Sequence, residues 1–188
     1  MTNILQTIKL AIRAIVERGR ASLSRSWLPR ERPLTPGERA LAASVFGNAL
    51  DTRNVTVRGR KWWLLQPRCT VMAPRGHLHF HPHCPFYHED FSRAPLPLQG
   101  LFIHELTHVW QHQMGRNLVF ARGPFARYGY LPLIEGKRFE EYGIEQQAEI
   151  VRDSFILSRG GRVDGAPPLE VYRKLLPFRP EQDGQALA

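Results

Sequence analysis

Apolar residues recur along the chain with more than one period, and the changes of period separate its elements. Ile4, Leu5, Ile8, Ile12, Ile15 and Val16 share one face at roughly 3.6-residue spacing, which predicts an amphipathic helix over residues 1–20. A stretch rich in Ser, Arg and Pro follows and reads as a linker, so residues 1–32 form an arm and a compact domain opens at residue 33. Thr35-Pro36-Gly37-Glu38 has capping-box spacing with proline at the first helical position. The helix it starts runs through Val45 and Phe46 to Gly47. Residues 55–57, 62–65 and 77–81 predict strands. In the last of these Leu78 and Phe80 share a face, and Pro82 and Pro85 end the run.

Helical periodicity returns over residues 98–114, with Leu101, Phe102, Leu106, Val109 and Trp110 apolar and Gly115 beyond the end. Residues 116–140 mix Gly, Pro, Arg and aromatics without a period, and a loop of that length is often functional. A second helix is expected over residues 144–157, with Ile144, Ala148, Val151, Phe155 and Ile156 on its buried face. A short helical piece over residues 169–176 follows Pro167-Pro168. The reading is an α+β domain over residues 33–160 with a small sheet, followed by a C-terminal tail over residues 161–188.

The net charge of +9, from 26 Lys and Arg against 17 Asp and Glu, raises a nucleic-acid reading. The charge is mostly arginine spread along the chain, with no recognisable basic recognition helix or finger spacing, so no specific nucleic acid is expected as a partner. No run approaches the ~18 consecutive apolar residues of a membrane span. Lys9 and Arg13 interrupt any continuous apolar core in this segment, which excludes a conventional signal peptide. The expected location is the cytoplasm, or outside it by a route that uses no such signal. Cys69 and Cys84 are too few for a disulfide framework and read as two free thiols or one bridge. The arm is expected to dock on protein rather than a membrane surface, because its polar face carries few cations for anionic lipid.

The chemistry concentrates in His104-Glu105-Leu106-Thr107-His108, inside the helix of residues 98–114. Two imidazoles at i and i+4 project from one face about 6 Å apart, a separation that one zinc ion can bridge. Glu105 is rotated about 100° from His104, beside the metal and in reach of water. Composition alone gives roughly 0.02 such pentapeptides in a chain of this length. Zinc needs a third protein ligand. His112 lies about 12 Å along the axis from His104 and is too far. Glu145 and Glu149, at i and i+4 of the next helix, suit a ligand and an acceptor for the other N–H of a ligand histidine. Glu145 is taken as the ligand and Glu149 as the acceptor, the reverse order being the alternative.

The run from Leu101 to Gln111, with Leu34-Thr35-Pro36-Gly37-Glu38-Arg39-Ala40, Phe46-Gly47 and Glu145-Gln146-Gln147-Ala148-Glu149, resembles a family of metallopeptidase domains. These are the extracellular contractile injection system core and Vgr-related bacterial proteins, and the likeness spans residues 33–158. It implies a zincin-like fold, a gluzincin-type His-His-Glu zinc site, and association with a contractile injection or type VI secretion apparatus. Many relatives carry Asp where this chain has Glu149. The expected activity is zinc-dependent hydrolysis of a peptide or other amide bond with Glu105 as the general base. A protease and a cell-wall amidase are not separated. The alternative is a non-catalytic metal-containing cargo or adaptor module of the apparatus.

Weaker signals accompany these. His77, His79, His81 and His83 alternate, and read as the polar face of an edge strand before they read as a second metal site. Such an edge could take an extended peptide. Tyr128, Tyr130 and Tyr142 are candidates to stabilise an oxyanion, though packing is the commoner role. Trp62 and Trp63 read as core or interface residues.

Overall fold

The computed structural model describes residues 29–118 and 127–179, and the amphipathic arm expected over residues 1–20 lies outside them. The architecture is α+β. A small sheet has the order β1 (Arg32–Pro33), β2 (Thr56–Arg58), β3 (Leu78–His79). The first pair is antiparallel, with Arg32 opposite Val57, and the second is parallel, with Val57 opposite Leu78. Four α-helices accompany it among the described residues: α1 (Pro36–Phe46), α2 (Leu96–Gln113), α3 (Ile144–Ser158) and α4 (Leu169–Leu175).

The start of α1 follows its sequence signal. The Thr35 hydroxyl accepts from Glu38 N at 3.0 Å while Glu38 Oε2 accepts from Thr35 N at 2.9 Å. Glu38 is fully buried because it has further donors: both terminal nitrogens of Arg32 at 2.8 Å, and the backbone N–H of Phe91 at 3.0 Å. One carboxylate thus joins β1, α1 and the segment before α2. Arg32, assigned from the sequence to the arm, already belongs to the sheet.

The strand expected at residues 62–65 is a turn instead. Gln66 N donates to Trp63 O at 3.1 Å, and the Gln66 side chain accepts from Trp62 N at 2.8 Å, which bends the backbone away from a ladder. The expected strand at residues 77–81 shortens to Leu78–His79, and its histidines do not form a polar outer face. His79 and His81 are both buried. The reason is that Met72 bridges antiparallel to His79 and covers the outer edge of β3.

Helices α2 and α3 form the centre. Gly100 permits their approach, since a Cβ there would meet Ile156 Cδ1 at 3.1 Å and Arg152 Cγ at 3.3 Å. On the sheet side, Phe91 stacks on Phe102 with centroids 4.9 Å apart and rings within 7°. Residues beyond 160, read as a tail, pack into the same core. Tyr172 on α4 is fully buried, and Phe178 contacts Phe46 and Trp110 at centroid distances of 4.9 and 5.3 Å.

Candidate metal centre

Helix α2 is buried around most of its circumference, with polar residues His104, Glu105, Thr107, His108 and Gln111 inside together with Phe102, Ile103, Leu106 and Val109. Polar side chains buried this deeply require partners. That alone sets the two histidines apart from a chance pair on a solvated face.

Their partners come from α3. Glu145 Oε2 lies 3.4 Å from His104 Nε2 and 3.3 Å from His108 Nε2. One ligand atom from each of the three residues lies within 4.8 Å of the others. The imidazole planes stand at 83°, with centroids 5.0 Å apart, so the two nitrogens converge from different directions. Two imidazole nitrogens and one carboxylate oxygen are the protein donor set of a three-residue zinc site, and the residues present therefore fit such an ion. Among the described residues this is the cluster of three metal-ligating side chains that forms; the histidines of residues 77–83 make no second one.

The ring nitrogens facing away from Glu145 are held differently. His104 Nδ1 is 3.0 Å from Glu149 Oε1. His108 Nδ1 is 2.9 Å from Gln111 Oε1, and the Gln111 amide in turn donates to Ile144 O and Gln147 Oε1, each at 3.0 Å. Gln147 donates to Tyr142 O at 2.7 Å. Glu145 thus faces the two imidazoles, and Glu149 sits behind one of them.

Glu149 continues into a buried polar chain. Arg152 Nη1 pairs with Glu149 Oε2, and Arg152 also donates to Asp153 Oδ1 at 2.8 and 2.6 Å. Tyr130 OH donates to Asp153 Oδ2 at 2.6 Å and shares a hydrogen bond of 2.6 Å with Tyr172 OH. The electrostatics follow from these contacts. Burial opposes a charge on His104, but Glu145 and Glu149 outweigh it and hold its pKa up to about 10. Burial likewise opposes ionisation of Glu145 and Glu149, yet the facing imidazoles, with Arg152 beside Glu149, hold both below the ordinary carboxylate value. A cation held by the three donors would displace the His104 proton that the carboxylates otherwise favour.

A cavity of about 220 Å³ opens beside the cluster, lined by His104, Glu105, His108 and Glu145 together with apolar residues that include Val71, Met72 and Leu101. Of the three tyrosines considered from the sequence, Tyr128 lines this cavity. Tyr130 is committed to Asp153 and Tyr172. Tyr142 takes Ile134 N at 3.3 Å and carries Lys137 over its ring at 4.2 Å, away from the cluster. Trp62 lines the cavity while Trp63 faces outward. His112 packs beside Gly76, outside the cluster. Both cysteines are free; burial pushes the Cys84 thiol up to about 12.

Sequence reasoning missed Gln111, Gln147, Arg152, Asp153 and Tyr172. Gln111 and Arg152 did carry a signal, each standing three residues after a site residue on its own helix face.

No family model matches the chain. It is 41% identical, over 66% of its length, to the type VI secretion system spike protein VgrG2b of Pseudomonas aeruginosa, and the matched part makes up 13% of that protein. It is also similar to the solved structure of the effector domain of Pseudomonas aeruginosa VgrG2b, with 35% identity and a TM-score of 0.60. That likeness covers 82% of this chain and 87% of the other.

Proposed function

The chain belongs to the family of the VgrG2b effector domain, and from that premise we propose that it is a zincin-like, zinc-dependent hydrolase of peptide or other amide bonds acting as a type VI secretion effector. The observation that carries this reading is the convergence of His104, His108 and Glu145 beside a cavity that Glu105 also lines.

Zinc held by these three residues would supply Lewis acidity toward a carbonyl and toward water. The rest of the chemistry belongs to the chain. Glu149 and Gln111 fix the orientation of the two imidazoles through their other ring nitrogens. Glu105 takes a proton from the attacking water and passes it to the leaving amine nitrogen. The apolar wall of Val71, Met72 and Leu101 limits competing water and seats the substrate beside the reacting carbonyl.

The test is Glu105→Gln, which keeps the side chain's size and removes its capacity to accept a proton. The variant is expected to keep its metal content and melting temperature and to lose at least about 100-fold in hydrolysis. The assay uses the zinc-loaded chain with quenched-fluorescence peptide libraries and cell-wall peptides, and a chelator should abolish turnover. Full turnover by the metal-bound variant would take the base role away from Glu105. A zinc-loaded parent that cleaves neither class of amide would leave the non-catalytic cargo or adaptor role in its place.

A further inference from the structure

The turn after β2 gathers three exposed large apolar side chains, whereas Met114, Ile134 and Val171 are exposed at separate places in the sequence. Trp63, Leu64 and Leu65 stand in succession at 45%, 81% and 70% exposure. This is not a loosely held loop. Gln66 is buried at its base, where the side chain accepts from Trp62 N at 2.8 Å and donates to Thr70 O at 2.8 Å and His79 O at 3.0 Å. The Lys61 ammonium donates to Leu64 O at 3.1 Å and closes the turn from the other side. The apolar side chains therefore point outward because the base of the turn is fixed, at the cost of about 25 cal/mol for each Å² of apolar surface left in water.

The surroundings are cationic. Residues 59–68 contain Arg60, Lys61 and Arg68, all exposed, and no acidic residue. The three cations flank the apolar tip in sequence on both sides. His81 feels the same cluster: burial first, then the charges of Lys61, His83 and Arg68, hold it below its ordinary pKa.

We propose that residues 60–68 dock the protein on an anionic phospholipid surface, with Trp63, Leu64 and Leu65 entering the interface and Arg60, Lys61 and Arg68 meeting headgroup phosphates. Tryptophan favours the boundary between headgroups and acyl chains, and Lys and Arg next to apolar side chains add attraction to an anionic leaflet. A nucleic acid would use the same cations, but Leu64 and Leu65, the two most exposed apolar side chains of the turn, gain nothing from phosphates and cannot stack on bases. Trp62, next to the tip, lines the cavity beside His104 and His108. Docking through this turn would hold the mouth of that cavity close to the bilayer, whichever reaction it performs.

The test is co-sedimentation of the full chain with vesicles of phosphatidylcholine alone and of phosphatidylcholine with phosphatidylglycerol, at two salt concentrations. Binding is expected to the anionic vesicles only and to weaken as salt rises. The triple variant Arg60→Gln, Lys61→Gln, Arg68→Gln should bind about 100-fold more weakly. The variant Leu64→Ser, Leu65→Ser should lose at least about tenfold. All these positions are exposed, and melting temperatures check that both variants stay folded. No binding by the parent, or equal binding by parent and both variants, overturns the proposal. So does an oligonucleotide that binds the parent and the Leu variant equally and more tightly than vesicles. A concentration-dependent dimer that the Leu variant abolishes, without vesicle binding, would assign the turn to a second copy of the chain.

Discussion

Gln111 and Glu149 serve the two imidazoles by different means. Glu149 places a carboxylate behind His104, which favours positive charge on that ring or on whatever it ligates. Gln111 offers His108 a neutral amide oxygen, fixed because its own N–H groups are spent on Ile144 and Gln147. Gln111→Ala should therefore lower zinc affinity about 10- to 100-fold while the fold persists, as read by competition with a chromophoric chelator. Unchanged affinity would show that His108 needs no orienting partner. The acid at Glu149 was legible in the sequence through its spacing from Glu145. The amide at Gln111 leaves no mark in charge pattern or hydrophobic period, and only its spacing of three residues from His108 points to it.

Elements were legible where their causes are local. The capping box at Thr35 and Glu38 works through residues three apart, so the start of α1 could be read directly. The periods that predicted α2 and α3 survive because each helix buries a broad face against the core. The apolar run of residues 62–65 predicts a strand, whereas the Gln66 side chain turns the backbone there and leaves Trp63, Leu64 and Leu65 in solvent. The covering of β3 by Met72, which pairs with His79 seven residues on, likewise leaves no mark in the alternation of residues 77–81. What the local signal at α1 could not reveal is that Glu38 also holds Arg32 and Phe91 N. Glu38→Ala should therefore cost far more than a lost cap, about 3–5 kcal/mol, because it strands a largely buried guanidinium. Denaturant unfolding measures this, and a loss nearer the ~1 kcal/mol of a cap alone would reduce Glu38 to a capping residue.

For the molecule as a whole, the C-terminal segment changes the picture most. Tyr172 and Phe178 sit in the core, with Phe178 against both α1 and α2, yet the sequence predicts only a short helical piece over residues 169–176 and carries no apolar face there long enough to place it in the core. Phe178→Ala should destabilise the protein by about 3–5 kcal/mol, measured by thermal or denaturant unfolding, and a cost under ~1 kcal/mol would return the segment to the status of a tail. The polar chain from His104 through Glu149, Arg152, Asp153 and Tyr130 ends on Tyr172 of that same segment. A ribosome makes a chain from its N-terminus, so the three clustered donors His104, His108 and Glu145 emerge well before the residue that closes the network behind them. Until Tyr172 follows, the Tyr130 hydroxyl and Asp153 lack part of their final surroundings, and α3 lacks the helix that packs on it. A chain interrupted between residues 160 and 170 carries His104, His108 and Glu145 on complete helices α2 and α3 but lacks α4, so the polar network behind the cluster closes only when the last part of the chain has been made.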